Sequence, residues 1–449
     1  MQNRGLRIFL GVCQVLVGAT FIISGLIKAN DPVGFGIKLE EYFAASALGM
    51  PWLDPFSLPL AMLACLAEVV LGFAVLTGGR MKLATWALLL LTLFFGWLTA
   101  YTATCDPQGK YAAVENGVQV MRDVTCVTDC GCFGDAMKGS IGRSLTPWES
   151  FSKDMALLVF ILPLFFFRKR IGFNTWGADL AILPAALVLL AFYCWVFTWW
   201  FPLLFAVVVL SGYLGIKRLM EPPRSEWATA IWVAVATVAF MWHCYAHLPL
   251  RDYRPYAVGK NIPEEMNMGK PPVQDIFVKY KNTATGEEKE FDSKGAYPWD
   301  DSTWVYVDRR VEVKVPGIDS PVKDFLLTDA DGNDRTADVL EETKPVLLIV
   351  ARNVRDARTG KLPAIAKLAQ EAEAHGWMVY GLTSSGFDQV DEFKFQHQLP
   401  FDFFTCDDVT LKTVVRSNPG VLVMSDGVVR GKWHGNDTPS FATAEKALK

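Results

Sequence analysis

The sequence predicts a multi-pass α-helical membrane protein that ends in an α/β domain. Three observations support this fold class. Of the 449 residues, 51% are apolar; apolar segments of near membrane-spanning length fill the first half; and strand and helix patterns alternate after Val322. The chain is too long for one ordinary domain, and its apolar content is too high for a soluble protein. The lipid bilayer is therefore an expected partner.

Seven apolar segments approach the length of about 20 residues that a bilayer-spanning helix needs. They cover residues 6–27, 57–77, 81–103, 153–167, 178–198, 201–216 and 227–247. The fourth and sixth are short for a span. No small-residue cleavage site follows the first segment, which is expected to stay as an anchor. We place a boundary between the fifth and the sixth segment at residues 199–202, Trp-Trp-Phe-Pro, because aromatic anchors and a helix-breaking proline are typical of a hairpin turn.

The positions of Lys and Arg predict a cytoplasmic N-terminus, because cytoplasmic loops collect these residues. The basic residues on that side are Arg4, Arg7, Arg80, Lys82, Arg168, Lys169, Arg170, Lys217, Arg218 and Arg224. Loop 104–151 and everything after His247 are then extracytoplasmic, in the periplasm next to a bacterial inner membrane, where disulfides form. A single helix over 178–216 is the alternative, and it would send the C-terminal domain to the cytoplasm. The formal charge of −4 gives no reason to expect a nucleic-acid partner.

Loop 104–151 holds four of the nine cysteines, Cys105, Cys126, Cys130 and Cys132. Thiol–disulfide exchange needs two cysteines that pair and others that accept the bond. Cys130 and Cys132 are the candidate redox pair, with Cys105 and Cys126 as a relay or a structural disulfide. A disulfide across one glycine closes a very small ring, and strained disulfides are the oxidising kind. Two structural disulfides are the alternative. No metal site is predicted, because the spacing fits neither zinc ribbons nor ferredoxins.

One acidic residue, Glu68, lies near the middle of the second apolar segment. A charge is costly at that depth, so an intramembrane carboxylate indicates function by default. Lys28, at the end of the first segment, is expected to reach the membrane interface or to pair with Glu68 or Asp31. Glu68 is a candidate for proton transfer during thiol or quinone chemistry. A structural contact that locks the first two helices together is the alternative.

Four further cysteines lie inside predicted spans, where cysteine usually acts as a small apolar residue. They are Cys13, Cys65, Cys194 and Cys244. Cys13 and Cys65 lie on adjacent helices, which raises the alternative of a transmembrane relay of reducing equivalents. His243 and His247 share a helical face at the end of the last segment and are either metal or haem ligands or, as we favour, interface residues.

The motif at 130–134, Cys-Gly-Cys-Phe-Gly, follows the third predicted helix and resembles the MauE branch of the MauE/DoxX redox-associated membrane proteins. Residues 24–32, Ser-Gly-Leu-Ile-Lys-Ala-Asn-Asp-Pro, and a second helix with Glu68 and Gly72 resemble DoxX-type helices. The resemblance covers residues 1–170 and implies a DoxX-like four-helix bundle linked to periplasmic thiol–disulfide metabolism. About three further helices follow at 171–248. The methylamine utilisation that gives MauE its name is not carried over, because short family members lack the second half of this chain.

Residues 320–449 alternate between strand and helix patterns, which predicts a compact α/β domain with a mixed sheet. The expected elements are a strand and turn at 324–332, strands at 345–351 and 377–383, helices at 362–375 and 388–397, and a hairpin of 420–424 with 428–433. Residues 249–319 are expected to form an extracytoplasmic linker with a small β element that includes strands at 273–280 and 304–307.

This order of elements resembles the thioredoxin and peroxiredoxin fold. The resemblance implies that Pro419, preceded by Asn418, is a cis-proline beside a binding groove. The chain departs from that family where a C-x-x-C motif should follow the strand at 345–351, because residues 352–357 are Arg-Asn-Val-Arg-Asp-Ala. Such a domain binds a substrate or partner and cannot itself exchange disulfides. Cys406 is either a docking thiol for a mixed disulfide or, as we favour, an unpaired cysteine.

These patterns predict an inner-membrane protein that takes part in extracytoplasmic thiol–disulfide exchange with a periplasmic thiol or disulfide protein. Quinone is the candidate cofactor, although the sequence has no quinone motif. A membrane-anchored assembly or receptor protein with structural disulfides is the competing prediction, and it involves no catalysis.

Overall fold

The computed structural model describes residues 4–106, 109–115, 118–127, 131, 133–315, 317 and 320–449. Cys130 and Cys132 therefore lie outside the described residues. The chain divides into a helical unit, Met1–Arg254 with Thr413–Gly420 and Trp433–Thr438, and a sheet unit, Pro255–Lys412 with Val421–Lys432 and Pro439–Lys449. This division differs from the predicted one, since residues of the expected linker belong to the sheet unit and two C-terminal segments belong to the helical unit.

The helical unit is built from nine α-helices in its described residues. They are α1 (Arg4–Asn30), α2 (Pro32–Phe43), α3 (Ser57–Thr77), α4 (Met81–Thr104), α5 (Gly134–Ile141), α6 (Pro147–Phe166), α7 (Trp176–Val196), α8 (Phe201–Leu219) and α9 (Arg224–Ala246). A 3₁₀ helix, Pro51–Phe56, leads into α3. Between α4 and α5, strands β1 (Lys110–Glu115) and β2 (Val118–Asp123) pair in antiparallel fashion. Neither α2 nor this hairpin was expected from the sequence.

Six helices are long and apolar enough to cross a membrane by length and composition: α1, α3 with the turn before it, α4, α7, α8 and α9. They confirm a multi-pass helical membrane protein. Helix α6 matches the short fourth segment and has 20 residues, but its first half carries Glu149, Lys153 and Asp154. It begins at a capping box in which Thr146 and Glu149 bond each other's backbone N–H groups.

Helix α1 is the centre of the bundle, because it packs against α3, α6, α7 and α9. Its closest neighbour is α3. A Cβ on Gly18 would lie 2.9 Å from the Gly72 carbonyl oxygen, and a Cβ on Gly72 would lie 2.9 Å from that of Gly18. Two glycines thus let the backbones of α1 and α3 touch, a common way for membrane helices to gain packing contacts.

The sheet unit contains a three-stranded antiparallel sheet in the order β4-β3-β5. Its strands are β3 (Val273–Asn282), β4 (Glu288–Asp292) and β5 (Trp304–Val315), preceded by helix α10 (Ile262–Asn267). The two strands predicted in this region are confirmed, although β5 is eight residues longer than expected. The side chains of β4 and β5 are mostly exposed, whereas those of β3 are mostly half-buried.

A five-stranded sheet follows, in the order β10-β9-β6-β7-β8. Its strands are β6 (Val346–Val350), β7 (Met378–Thr383), β8 (Asp402–Thr405), β9 (Gly420–Ser425) and β10 (Val428–His434). Strand β7 pairs in parallel with both β6 and β8. Strand β6 is buried along its whole length, as expected for a strand covered on both faces.

The helices of this region are α11 (Thr336–Leu340), α12 (Leu362–Ala374), α13 (Phe387–His397), α14 (Asp408–Val414) and α15 (Phe441–Ala447). The predicted strands β6 and β7, helices α12 and α13 and the final hairpin are confirmed. The predicted strand at 324–332 is wrong: Thr328 forms only isolated bridges, with Asp334 and Thr405. The turn predicted there is confirmed, because Asp329 accepts hydrogen bonds from the backbone of Asp331 and Asn333 and bends the chain.

Candidate functional site

A disulfide joins Cys105, at the end of α4, to Cys126, with Cα atoms 5.8 Å apart. It closes the segment that contains the β1–β2 hairpin. Val127, the next residue, is 4% exposed and belongs to the main apolar core of the bundle. The loop is therefore fixed to the helical unit just before the predicted redox motif.

The described residues around Cys130 and Cys132 also contact the bundle. Gly131 has a φ of +65°, and a Cβ there would lie 3.2 Å from Lys38 Cγ on α2. A residue with a side chain is disfavoured for both reasons. The ring of Phe133 lies 5.3 Å from that of Phe197. The cysteine motif thus has one flanking contact on α2 and another at the end of α7.

Glu68 forms a buried ion pair with Lys28. Lys28 Nζ lies 2.5 Å from Glu68 Oε1, and the two residues are 4% and 1% exposed. Lys28 also donates to Ser24 Oγ at 3.0 Å and lies over the ring of Phe95, 4.8 Å from its centre. Of the alternatives predicted for Lys28, the structure shows the pair with Glu68. Removing two charges from water is costly, so such a pair is weak support for stability.

A second ion pair lies nearby on α6 and was not expected from the sequence. Lys153 Nζ is 2.7 Å from Asp154 Oδ1, and Asp154 is 3% exposed. Thr99 on α4 donates to Asp154 Oδ2 at 3.1 Å. The only sequence signal was the polar first half of the fourth apolar segment, which reads equally well as an exposed helix end.

The two ion pairs line one small cavity in the bundle. Its polar lining residues include Ser24, Lys28, Glu68, Thr92, Lys153 and Asp154. About 20 Å³ is open to the centre of a water molecule, which is room for about one water. Phe133, the residue after Cys132, forms part of the wall. Among the described residues, Glu68 Oε2 and Thr92 Oγ1 have no hydrogen-bond partner.

The five free cysteines of the described residues are all buried. Cys13 and Cys65 are each 0% exposed but lie in two different apolar clusters. Nothing in their surroundings sets them apart from core residues. Cys406 is 7% exposed, and burial raises its pKa to about 12. Because only the thiolate attacks disulfides, this environment favours the core alternative for Cys406 over a docking thiol.

The end of the bundle near Lys28 includes the segment around Pro419. Asp31, the N-cap of α2, pairs with Arg416, whose Nε lies 3.0 Å from Asp31 Oδ2. The Asn418–Pro419 peptide bond is cis, which confirms the conformation that the resemblance implies. Pro419 is buried. Ser417 donates to the Pro419 carbonyl oxygen, so the segment is held by residues of its own unit.

His247 donates from Nδ1 to Asp437 Oδ2 at 2.7 Å, and its ring lies 4.8 Å from that of His243. Within the described residues, no group of three or more His, Cys, Asp or Glu side chains is arranged to hold a metal ion. This pairing favours the interpretation of the two histidines as interface residues.

In the sheet unit, an ion pair occupies the place where a C-x-x-C motif would begin. Arg352, directly after the end of β6 and Ala351, donates to Asp408 Oδ1 at 2.9 Å. Ser384 Oγ donates to the Arg352 carbonyl oxygen at 2.9 Å. Burial opposes ionisation of Asp408, but Arg352 and Lys412 outweigh it and lower the pKa of that carboxyl. The arrangement is polar and charged and contains no sulfur.

Two parts of the chain match known family models. Residues 276–315, which include β4 and β5, match a domain of unknown function, DUF8463. No curated protein matches the chain. Residues 6–107, from α1 to just past the end of α4, match the methylamine utilisation protein MauE. Over residues 6–107 this multi-pass membrane protein is thus similar to MauE, which is consistent with a redox-associated role.

Proposed function

We propose that this protein takes part in thiol–disulfide exchange outside the cytoplasm, with Cys130 and Cys132 as the working pair. The Cys105–Cys126 disulfide carries the proposal. It holds the start of the loop, and its two cysteines, being bonded to each other, are not partners of Cys130 or Cys132 in this state. This leaves Cys130 and Cys132 as each other's proposed redox partner, with Gly131, which has a positive φ, between them.

The surroundings of Gly131 support this chemistry. The Cβ and Cγ atoms of Lys38 lie beside Gly131, and an ammonium group close to a cysteine favours the thiolate form of that cysteine. Lys38 also bonds Glu41, with 2.7 Å between the charged atoms, which moderates the effect. The proposed partner is a periplasmic protein with a dithiol or disulfide, and the proposed location is the inner membrane with a cytoplasmic N-terminus. The cavity has room for only about one water, so a quinone would need another site in the bundle.

The sheet unit and the segment around Pro419 are proposed to form a thioredoxin-like binding domain without redox activity. Support comes from the strand order, the cis peptide before Pro419 and the absence of cysteine at residues 352–357. Because Pro419 is buried and Arg416 pairs with Asp31, a partner would bind beside this segment and not directly on the proline.

A second candidate is an assembly or receptor protein that performs no exchange. The Cys105–Cys126 disulfide also supports this candidate, because a purely structural bond would close the segment that contains the β1–β2 hairpin in the same way. A third candidate, a relay through Cys13 and Cys65, has no support in the structure, because the two buried thiols lie in different apolar clusters.

The test uses the full-length protein in lipid nanodiscs with a reduced, unfolded model protein as thiol substrate. We expect wild-type protein to oxidise one equivalent of substrate dithiol, with Cys130 and Cys132 becoming reactive to maleimide. The Cys130→Ser and Cys132→Ser variants should lose this exchange. Cys406→Ser and the double variant Cys13→Ser with Cys65→Ser should retain it.

Retention of exchange by Cys130→Ser or Cys132→Ser would remove the proposal. The receptor candidate would be supported if cells with the Cys130→Ser or Cys132→Ser variant kept full function while deletion of residues 320–449 abolished that function. Mass spectrometry of the non-reduced protein provides the control, because it should recover the Cys105–Cys126 peptide pair in every variant that leaves those two residues intact.

A further inference from the structure

The cavity between α1, α3, α4 and α6 contains two buried polar atoms that the fold itself does not satisfy. Glu68 is 1% exposed and Thr92 is 3% exposed, yet Glu68 Oε2 and Thr92 Oγ1 have no hydrogen-bond partner among the described residues. Buried polar groups are nearly always bonded, and each exception calls for an explanation. Both residues line the same cavity, which has room for about one water.

We propose that this cavity is a water-binding site through which Glu68 exchanges protons. A water there could donate to Glu68 Oε2 and bond the hydroxyl of Thr92, giving it the polar partners that a buried water needs. Lys153 and Asp154 line the same cavity and offer further partners. The site places a carboxylate on α3 and a second carboxylate on α6 around the same cavity.

The charges around Glu68 suit a carboxyl group that gains and loses a proton. Lys28 faces Glu68 from α1, and Lys153 and Asp154 face the cavity from α6. Asp31 follows Lys28 by three residues, and Cys65 precedes Glu68 by three residues. α4 contributes no charge there, only Thr92 and Phe95. With both lysines and both cavity acids ionised, the cavity is neutral. A proton on Glu68 then leaves one positive charge, which water and Asp154 can screen.

The position of the site connects it to the proposed thiol chemistry, and this part of the inference rests on the proposed function. Phe133, one residue after Cys132, is part of the cavity wall, and Lys153 Nζ lies 5.4 Å from the centre of its ring. In the exchange, a partner dithiol becomes a disulfide while the Cys130–Cys132 disulfide becomes a dithiol. Two electrons move with the sulfur bonds, and two protons leave the partner thiols and end on the loop thiols. The site would hold one of these protons in transit.

Infrared difference spectroscopy on the full-length protein in nanodiscs tests the site without requiring exchange. Spectra are recorded as the pH is stepped, in H₂O, D₂O and H₂¹⁸O. We expect a carboxylic C=O band that shifts in D₂O, together with a water band that shifts in H₂¹⁸O. Glu68→Gln should remove the carboxylic band. Glu226→Gln, which alters a partly buried acid that is 2.9 Å from the Arg80 backbone nitrogen and does not line the cavity, should keep both bands.

Thr92 provides a pair of variants that should both fold. Thr92→Ser keeps the hydroxyl and should keep the water band, whereas Thr92→Val should remove it or move it clearly. An unchanged carboxylic band in Glu68→Gln, or the same water band in Thr92→Val and Thr92→Ser, would overturn the site.

The same spectra on a Cys130→Ser, Cys132→Ser double variant separate this inference from the proposed function. If the carboxylic and water bands persist in the double variant while exchange proves independent of Cys130 and Cys132, the site exists and the proposed function is wrong. If exchange depends on the cysteines, its rate in Glu68→Gln should lose at least part of its pH dependence relative to Glu226→Gln. An identical pH profile in these two variants would overturn the link between site and chemistry.

Discussion

Two buried acid–lysine pairs in the helical unit use the same chemical groups in different ways. Asp179 on α7 pairs with Lys217 on α8 and accepts further hydrogen bonds from Tyr213, at 3.0 and 3.1 Å, and from Asn174 at 3.0 Å. Glu68 pairs with Lys28 through one oxygen only, and its other oxygen faces the cavity. A carboxylate with every lone pair bonded holds helices together, whereas one with a free oxygen beside a cavity can change its protonation state.

The surroundings of the two lysines strengthen this contrast. Lys217 lies over the rings of Trp176 and Phe173, with its ammonium 4.7 and 5.7 Å from their centres. Asn174 also donates to the Leu76 carbonyl oxygen at 2.8 Å, which ties the Asp179 cluster to the end of α3. The cluster therefore connects three parts of the bundle. The Glu68–Lys28 ion pair itself joins α1 to α3, which already touch through Gly18 and Gly72, and Lys28 adds a ring contact with Phe95 on α4.

Breaking each pair by a single substitution should give the largest difference. Asp179→Asn leaves Lys217 buried without a counter-charge, and we expect a loss of roughly 3–5 kcal/mol in the free energy of unfolding. Glu68→Gln should cost less, because Asp154 and the cavity offer Lys28 other polar surroundings. Thermal unfolding in a single detergent, followed by tryptophan fluorescence, measures both. A greater loss for Glu68→Gln would reverse our assignment of the structural and functional pairs.

Replacing both members of each pair by apolar residues should sharpen the distinction. Asp179→Leu with Lys217→Met leaves Tyr213 and Asn174 without their acceptor, at a cost of about 1–3 kcal/mol for each buried group. Glu68→Leu with Lys28→Met leaves mainly the Ser24 hydroxyl, so we expect a stability close to wild type. Exchange activity should show the reverse pattern. The folded fraction of the Asp179→Leu, Lys217→Met variant should retain it, whereas the Glu68→Leu, Lys28→Met variant should be impaired. Equal stability losses in the two double variants would contradict the comparison.

A smaller effect is expected from one donor to Asp179. Tyr213→Phe removes the hydroxyl that bonds both oxygens of Asp179. Hydrogen bonds to charged groups contribute about 1.5–3 kcal/mol, and Asn174 and Lys217 remain, so the loss should lie near the lower end. Tyr193→Phe is the matched control, because its hydroxyl bonds only the neutral Thr20 at 2.9 Å. The two variants should differ in unfolding midpoint, with Tyr213→Phe lower.

The sequence predicted the helices and most strands because their signals are local: apolar runs of spanning length, alternating patterns, and turn residues such as those at 425–427. It also identified Glu68, and it gave the pairing with Lys28 as one of three alternatives for that lysine, since a charge in an apolar run needs a partner. Asp154 was missed because the polar first half of a helix such as α6 has the same pattern whether it faces water or a neighbouring helix. Asp179 was missed for a similar reason, lying at the start of α7, where acidic residues are common.

The segment around Pro419 shows where local patterns stop being informative. Its resemblance to a cis-proline loop correctly implied the backbone conformation at Pro419. Arg416 in this segment pairs with Asp31, which lies 385 residues away in the chain. No sequence pattern around either residue indicates that the two form a pair. The strand expected at 324–332 was wrong for a different reason, since the side chain of Asp329 bonds backbone groups two and four residues ahead and competes with strand pairing.

The smallest expected difference compares two threonines on α4. Thr99 donates to Asp154 Oδ2, so Thr99→Val should cost about 1.5 kcal/mol, the lower range for a hydrogen bond to a charged group. Thr92 has no protein partner for its hydroxyl among the described residues, and Thr92→Val removes only its bond to the proposed water, at a cost of about 0.5 kcal/mol. A dry cavity predicts the opposite sign at Thr92, because replacing an unsatisfied buried hydroxyl by a methyl group stabilises the fold. A rise in the unfolding midpoint of Thr92→Val above wild type would therefore show that the cavity holds no water, and Glu68 would then have to be a structural residue like Asp179.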